Sequence, residues 1–342
     1  MSVNDTLRSW MLPIAMVTGA SMYIIYHFLP EPLHVMGPFL EGVVSVVQPM
    51  LIFLMLFLTF CRIEPRELKP HRWHWVLLLI QGGLFSILGL VLMWVIRLMP
   101  GEHSALKILV ESAMLCLICP TATAAAVVTR KLGGDVAGIT TYTILINILA
   151  AVLVPLIVPL VHPVAGMDFW TSFSMILAKV LPLLIMPCLC AWLVRYLLPQ
   201  FHRRLLQYPD LPFHIWAVAL TLAIAVSVRY LMASSLGVWL ITGMAAVSLI
   251  CCVLQFAAGR MVGSRYRPRR NDVSQAVGER GRKIRTVTAG QSLGQKNTVF
   301  AIWMGYTFLT PETAIIGGLY SIWHNLYNSW QLRRSQKQSE LS

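Results

Sequence analysis

Two short polar segments interrupt long apolar stretches, and they carry the side chains best suited to binding an ion or a solute. The first is Cys119–Ala124 (CPTATA) and the second is Gly290–Asn297 (GQSLGQKN). Proline and glycine break helices and leave backbone carbonyl and N–H groups without helical partners, beside hydroxyl, amide and ammonium groups that can bind. The second segment includes Lys296, which would lie near mid-membrane, where a charge is costly and usually functional.

Catalytic and metal-binding patterns are missing from the sequence. There is no G-x-x-x-x-G-K-[ST] phosphate loop, no H-E-x-x-H motif and no pair of acidic residues at mid-span. His71 and His74 are spaced as ligands could be, but their tryptophan and arginine neighbours are typical of a membrane interface. The seven cysteines lie in or beside apolar stretches and form no zinc pattern. We therefore expect no enzyme, no ATP-driven pump and no bound metal.

The composition is that of an all-α polytopic membrane protein. Of 342 residues, 57% are hydrophobic and only 12% are charged, about half the ~25% usual in soluble proteins. The apolar runs are too long for barrel strands, so they are predicted to be helices. Ten transmembrane helices are predicted, at 10–29, 38–61, 75–98, 106–129, 134–161, 169–198, 213–233, 236–258, 285–309 and 311–331.

The basic residues lie mostly on one side of this predicted topology. With a cytoplasmic N-terminus, 22 of the 27 Lys and Arg residues fall on the inner side. This positive-inside bias explains the net charge of +13 without nucleic acid, places both termini in the cytoplasm and favours a bacterial inner (plasma) membrane. The basic loop 259–284 is predicted to be a flexible cytoplasmic linker, and contact with anionic lipid or a regulatory partner stays open.

The spans divide into two equal sets. Five lie in residues 1–165 and five in residues 166–342. An odd number per half makes the second half start from the opposite face, which is an inverted-topology repeat. The fourth and ninth spans then correspond, and they contain the two polar segments. Interruptions at matching positions of such halves indicate the binding site of a transporter.

Four stretches resemble the bile acid:sodium symporter family. They are Met55-x-x-Leu58-Thr59, Gln81, the run Cys119–Ala137 (similar to C-P-G-G-T-A-S-N…G-D-V-A) and Leu319–Asn325 (similar to L-Y-S-x-W-H-N). The resemblance implies a panel domain from spans 1, 2, 6 and 7. It also implies a core domain from spans 3–5 and 8–10, with the broken spans 4 and 9 crossing at mid-membrane.

The sequence departs from this family at its sodium ligands. Ala125 and Ala126 replace the serine and asparagine of the first sodium site, and Ser292 replaces a glutamate that joins both sites. Lys296 replaces a glutamine. Sodium needs several oxygen ligands, and an ammonium 4 Å away repels it by about 4 kcal/mol at an effective dielectric of 20. We therefore expect that sodium coupling is lost.

Two roles are open for Lys296. Its ammonium could replace the missing ion by donating hydrogen bonds to carbonyls at the break, with Gln81 and Thr123 as side-chain partners. It could also titrate, because desolvation lowers the pKa of a buried lysine by up to about 3–5 units, and a proton would then be the coupling ion. A static charge without a transport role is the structural alternative. Snorkelling of the Lys296 side chain to the membrane surface is difficult, because Lys296 lies about 16 Å along the helix from Arg285 at the start of the span.

The expected ion and substrate site comprises Gln81, Thr123, Ala125, Ala126, Thr141, Ser292, Lys296 and Asn297. Four further residues have weaker signals. Glu111 could counter Lys296 or gate the outer entrance, or it could be an interior hydrogen-bonded group. Lys179 could attract an anionic substrate, or it could snorkel. His324 and Asn325 could bind substrate, but simple packing between helices is the alternative.

Three functions are compatible with these observations. The preferred one is a secondary transporter of a small organic anion that works by alternating access, with Lys296 in place of sodium. The second is a sodium symporter whose shifted site uses Gln81, Thr141 and backbone carbonyls. The third is a non-transporting membrane sensor or scaffold. No cofactor is expected, and the oligomeric state cannot be read from the sequence.

Overall fold

A computed structural model describes residues 3–30, 36–98, 104–163, 166–208, 210–266 and 278–340. These residues form α-helices, two 3-10 turns at Pro65–Glu67 and Pro311–Thr313, and a single isolated β-bridge. The predicted all-helical class is confirmed.

The described helices of the first half begin with three long ones and continue with an interrupted pair. They are α1 (Val3–His27), α2 (Gly37–Cys61), α3 (Arg72–Leu98), α4 (Ser104–Ile118), α5 (Ala125–Lys131) and α6 (Val136–Val161).

The second half contains a kinked span, an interfacial helix and a second interrupted pair. Its described helices are α7 (Phe169–Leu184), α8 (Met186–Leu197), α9 (Pro199–Leu206), α10 (Leu211–Ala233), α11 (Val238–Arg265), α12 (Gly278–Gly294), α13 (Thr298–Phe308) and α14 (Ala314–Glu340). Asp168 caps α7 by accepting hydrogen bonds from the N–H groups of Trp170 (2.9 Å) and Thr171 (3.2 Å). Pro182 and Pro187 flank the kink between α7 and α8.

Six of the described helical stretches are long and apolar enough to cross a membrane. They are Gly37–Cys61, Arg72–Leu98, Val136–Val161, Phe169–Leu197, Leu211–Ala233 and Val238–Arg265. Large apolar side chains on their outer faces, such as Leu79 and Val253, are exposed to the surrounding medium. The chain is therefore an integral membrane protein, because exposed apolar faces of this length need a lipid solvent.

The basic segment 259–284 contains more helix than the prediction of a flexible linker implied. α11 continues to Arg265 and α12 already begins at Gly278, while residues 267–277 lie outside the described part of the chain. The helices continue past the apolar runs because long arginine side chains reach water while their backbone stays helical. The prediction was wrong at both ends of the segment for this reason.

The helices pack as two sets. In one set, α10 packs against α1 and α2, and α2 packs against α8. In the other, α3 packs against α4 and α6, and α11 packs against α4, α12 and α14. The sets meet where α6 contacts α7, where α10 contacts α13 and α14, and where α2 contacts α13. The helices α5 and α12 pack against each other and against α6, and α12 also packs against α3 and α11, all in the same set.

Candidate functional site

The two polar segments break their helices as predicted. α4 ends at Ile118 and α5 begins at Ala125; α12 ends at Gly294 and α13 begins at Thr298. Pro120 explains the first break, because proline lacks an N–H donor and clashes with the preceding turn of a helix. The second break is shorter than the polar segment that predicted it, since residues 290–294 remain helical.

The broken segments pair with each other as a short antiparallel bridge. The N–H of Ala122 donates to the Gln295 carbonyl (3.1 Å), and the N–H of Asn297 donates to the Pro120 carbonyl (2.8 Å). Each segment thus satisfies backbone groups that the other broken helix leaves without partners. A crossing of this kind is stable within a membrane only where the irregular backbone is enclosed by protein.

Side chains reinforce the bridge, whose paired residues are Thr121 and Lys296. The Thr121 hydroxyl donates to the Ser292 carbonyl (2.8 Å), which joins the first break to the last turn of α12. The Asn297 side-chain oxygen accepts from the Phe300 N–H (3.2 Å) and caps α13. Asn297 therefore has a clear structural role at the site.

Lys296 is enclosed at the centre of the crossing, with 2% of its surface exposed. Its ammonium donates to the Leu117 carbonyl (3.2 Å) in the last turn of α4. The last carbonyls of a helix lack intrahelical donors and lie at the negative end of the helix dipole, so this is a favourable place for a cation. Its electrostatic neighbours among the described residues are thiols, those of Cys116, Cys119, Cys251 and Cys252.

Gln81 is at the crossing but binds groups other than Lys296. Its amide nitrogen donates to the Cys119 carbonyl (3.0 Å), and its amide oxygen accepts from the Tyr142 hydroxyl (2.7 Å). Thr123, the other expected partner of Lys296, lies in the first break and is partly exposed. The partner described for the ammonium is thus a backbone carbonyl at the break, as predicted, and not the side chain of Gln81 or Thr123.

The positions expected to have lost sodium ligands lie around the same crossing. Ala125 is buried and Ala126 is partly buried at the start of α5, and neither offers a side-chain oxygen. Ser292 is fully buried, and its hydroxyl has no hydrogen-bond partner among the described residues. The Thr141 hydroxyl donates back to the Ala137 carbonyl of its own helix (2.9 Å). Within the described residues no cluster of three His, Cys, Asp or Glu side chains is placed to hold a metal ion.

Glu111 joins three elements at the end of the fold that contains the N-terminal half of α4. Its buried carboxylate accepts from the Thr310 N–H (2.9 Å), lies 3.3 Å from His162 Nδ1 and lies 3.8 Å from Lys107 Nζ. It therefore fixes the loop after α13 and the end of α6 to α4. Of its predicted roles, the interior hydrogen-bonded group matches these contacts.

The other secondary residues lie apart from the crossing contacts. Lys179 of α7 is exposed, and its ammonium lies 5.8 Å from the ring centre of Phe308 at the end of α13. His324 is buried with its ring against Tyr320, and Asn325 donates to the Ser321 carbonyl of its own helix (2.7 Å).

Three residues that contribute to the site were not singled out from the sequence. Tyr142 binds Gln81, and the Tyr320 hydroxyl donates to the Gly294 carbonyl (2.8 Å). Gln255 donates to the Cys116 carbonyl (3.1 Å) and to the Tyr320 hydroxyl (3.2 Å). A polar side chain within an apolar span was the available signal for Gln255, since such groups usually bond across helices.

Comparison with known families gives one match. A family model described as the Sodium Bile acid symporter family matches residues 49–239, which is more than half of the 342-residue chain. The matched region starts within α2 and ends at the start of α11, so it contains the first broken segment and lies N-terminal to the second. No curated protein matches the chain.

Proposed function

The chain belongs to the sodium bile acid symporter family, and from this membership we propose that it is a secondary transporter of a small organic anion in which Lys296 takes the place of a coupling sodium ion. The observation that carries the proposal is the antiparallel crossing of two broken helices around a buried ammonium. Broken helices of this kind form the solute and ion sites of many secondary transporters.

The proposed architecture has ten spans in two inverted repeats, 1–165 and 166–342. The interrupted pairs α4–α5 and α12–α13 are its fourth and ninth spans, and α7–α8 is its sixth. The panel domain comprises α1, α2, α7, α8 and α10, and the core domain comprises α3–α6 and α11–α14. The two sets of helices that pack within themselves support this division.

Two observations support the replacement of sodium by Lys296. The ammonium donates to the Leu117 carbonyl at the buried C-terminal end of α4, where a bound cation would find a carbonyl without a helical donor. The side chains left for a shifted sodium site, Gln81 and Thr141, already have hydrogen-bond partners. A sodium ion at this site would also have to overcome repulsion from the ammonium.

The proposed substrate site is the cleft between panel and core, beside the crossing. Lys179 stands on the panel side and approaches Phe308 of the core. An ammonium on the wall of an apolar cleft attracts an anion, because the low dielectric strengthens the interaction. The apolar surface of the surrounding helices suits an organic substrate rather than an inorganic ion.

The proposed orientation follows the charge bias, with the inner ends of the helices in the cytoplasm. Arg265, Arg282 and Lys283 at the inner ends of α11 and α12 would then lie at the level of the lipid head groups, where they favour anionic lipid.

The test is transport into proteoliposomes from a mixed metabolite extract, with uptake read by mass spectrometry. Sodium and proton gradients are imposed separately on the wild type, Lys296→Gln and the control Lys69→Gln, whose side chain is exposed on a loop. We expect uptake of an organic anion that is indifferent to sodium, is lost in Lys296→Gln and is retained in Lys69→Gln.

Each other outcome supports a different function. Uptake that follows the sodium gradient would establish a sodium symporter with a shifted site. The absence of uptake under every gradient would favour a non-transporting sensor. The proton gradient separates a permanently charged Lys296 from one that titrates, because only the titrating lysine couples uptake to protons.

A further inference from the structure

A group of buried amide side chains lies between α12 and α14, on the inner side of the crossing, and the proposed function does not use it. The Gln291 amide nitrogen of α12 donates to Asn328 Oδ1 (3.2 Å) and Gln331 Oε1 (2.7 Å) of α14. Both helices pack against α11. The amides therefore bond α12 to α14, two helices that share α11 as a neighbour.

Buried polar atoms of the facing parts of α12 and α14 and of Gln295 have no hydrogen-bond partner among the described residues. They are Gln291 Oε1, Ser292 Oγ, Gln295 Oε1, His324 Nδ1 and Asn328 Nδ2, and each of these residues is at most 6% exposed. Gln295 follows Gln291 by about one turn, and His324 precedes Asn328 by about one turn, so the atoms extend along both helices. Buried groups of this kind are normally satisfied by ordered water.

The group of polar side chains reaches the crossing at the C-terminal end of α12. The Tyr320 hydroxyl bonds the Gly294 carbonyl (2.8 Å), and the Tyr320 ring lies 5.6 Å from the His324 ring. Gly294 lies two residues before Lys296. An ammonium has three N–H donors, and the acceptor described for Lys296 is one carbonyl. The remaining donors need acceptors inside a fully enclosed site.

We propose that water fills the space between α12 and α14 and forms a hydrogen-bonded path from the inner face at Gln331 to the ammonium of Lys296. This path rests on the proposed role of Lys296, because it hydrates that charge from the cytoplasmic side. Direct bonds between the helices account for the Gln291 amide nitrogen but leave the unpartnered atoms along the path unexplained. Water supplies both donors and acceptors to these atoms, which no apolar filling can do.

X-ray hydroxyl-radical footprinting tests the path in the full chain in lipid nanodiscs, because radicals formed from internal water oxidise the side chains beside it. The reporters are His324 and Tyr320, and the controls are Phe60 and Phe85, which are as buried as Tyr320 and carry no polar side-chain atom. After correction for intrinsic reactivity, we expect the reporters to be oxidised several-fold faster than the controls. Reporters as unreactive as the controls would overturn the proposal.

A blocking variant tests the direction of access. Gln331→Leu closes the inner end with an apolar side chain and should slow the oxidation of His324 several-fold, whereas Gln207→Leu, at an exposed site, should leave it unchanged. Oxidation of His324 that Gln331→Leu does not slow would overturn access from the inner face. The wild-type comparison does not depend on this variant folding.

The readout is independent of transport. Oxidation of the reporters in a protein that takes up no substrate would support the hydrated path and contradict the proposed function. Unreactive reporters in a protein that does transport would reject the path alone.

Discussion

The charge of the Lys296 ammonium is compensated by backbone carbonyls at the ends of helices. The Leu117 carbonyl accepts from its ammonium at the end of α4, and α12 also ends beside it at Gly294. Each helix C-terminus carries about half a negative elementary charge on its unpaired carbonyls. A bound cation would be stabilised by the same groups, which supports the proposal that the ammonium substitutes for one.

Removing the charge should therefore destabilise the protein. Lys296→Met keeps most of the volume but leaves the Leu117 carbonyl unpaired, which is expected to cost about 1–3 kcal/mol. Thermal unfolding in nanodiscs measures the effect, with Lys69→Met at an exposed site as the control. A Lys296→Met protein more stable than the wild type would show an uncompensated buried charge and would contradict the substitution of an ion.

Restoring the family's ligands should restore sodium binding. The variant Ala125→Ser, Ala126→Asn, Ser292→Glu and Lys296→Gln supplies a carboxylate and side-chain oxygens and removes the ammonium. At sodium concentrations about 100-fold above the dissociation constant, binding would stabilise the variant by about 2.7 kcal/mol. The measurement is thermal unfolding in sodium against potassium at equal ionic strength. Equal stabilisation of the wild type by sodium would contradict the expected loss of its sites.

At the scale of single residues, the sequence predicted which residues lie at the crossing. It predicted their hydrogen-bond partners less well. The motifs placed Lys296, Ser292 and Gln81 at one crossing, as observed. Gln81, however, bonds Cys119 and Tyr142 rather than the ammonium. The choice of partner depends on the angle and depth at which helices cross, and the spacing of residues along the chain does not specify these.

At the scale of helices, the interruptions were the best predicted features. Pro120 in a polar run indicated the first break, and α4 and α5 stop on either side of it. The kink at Ile185 was missed, although Pro182 and Pro187 flank it, because the hydrophobic run continues through it. The inner ends of α11 and α12 were also missed, since hydropathy marks the hydrocarbon layer rather than the end of a helix.

Close helix contact should make one glycine of α11 sensitive to substitution. A Cβ at Gly259 would lie 2.3 Å from the Ala289 carbonyl oxygen of α12, so the backbones must separate to admit it. Gly259→Ala is expected to cost about 1–3 kcal/mol, measured by thermal unfolding. Gly83→Ala is the matched control, because a Cβ there meets no atom within 4 Å. Equal effects of the two changes would contradict the tight packing of α11 on α12.

At the scale of the whole molecule, the two sets of helices are joined by contacts of α13 with α2 and α10. The Tyr306 hydroxyl of α13 donates to Gln48 Oε1 of α2 (3.1 Å), and its ring stacks with Tyr230 of α10 at 5.9 Å. The half-helices α5 and α12 pack against helices of the second set. The inverted repeat predicted from charge and span count is compatible with this arrangement and stays a prediction.

The proposed alternating access requires the contacts between the two sets of helices to separate during each cycle. A Cβ at Gly318 of α14 would lie 3.8 Å from the Ser227 Cβ of α10, a separation typical of disulfides. Oxidation of the Ser227→Cys, Gly318→Cys variant should stop transport, and a reductant should restore it. The single variants control for native cysteines. Unchanged transport by the fully cross-linked protein would contradict movement of panel against core.

Equilibrium binding of radioactive sodium to purified protein tests the central claim most directly. The four-residue variant with restored ligands serves as the positive control, and Lys296→Gln shows whether the ammonium alone blocks the site. We predict no saturable binding to the wild type and saturable binding to the restored variant. Saturable sodium binding to the wild type would contradict the replacement of the ion by Lys296.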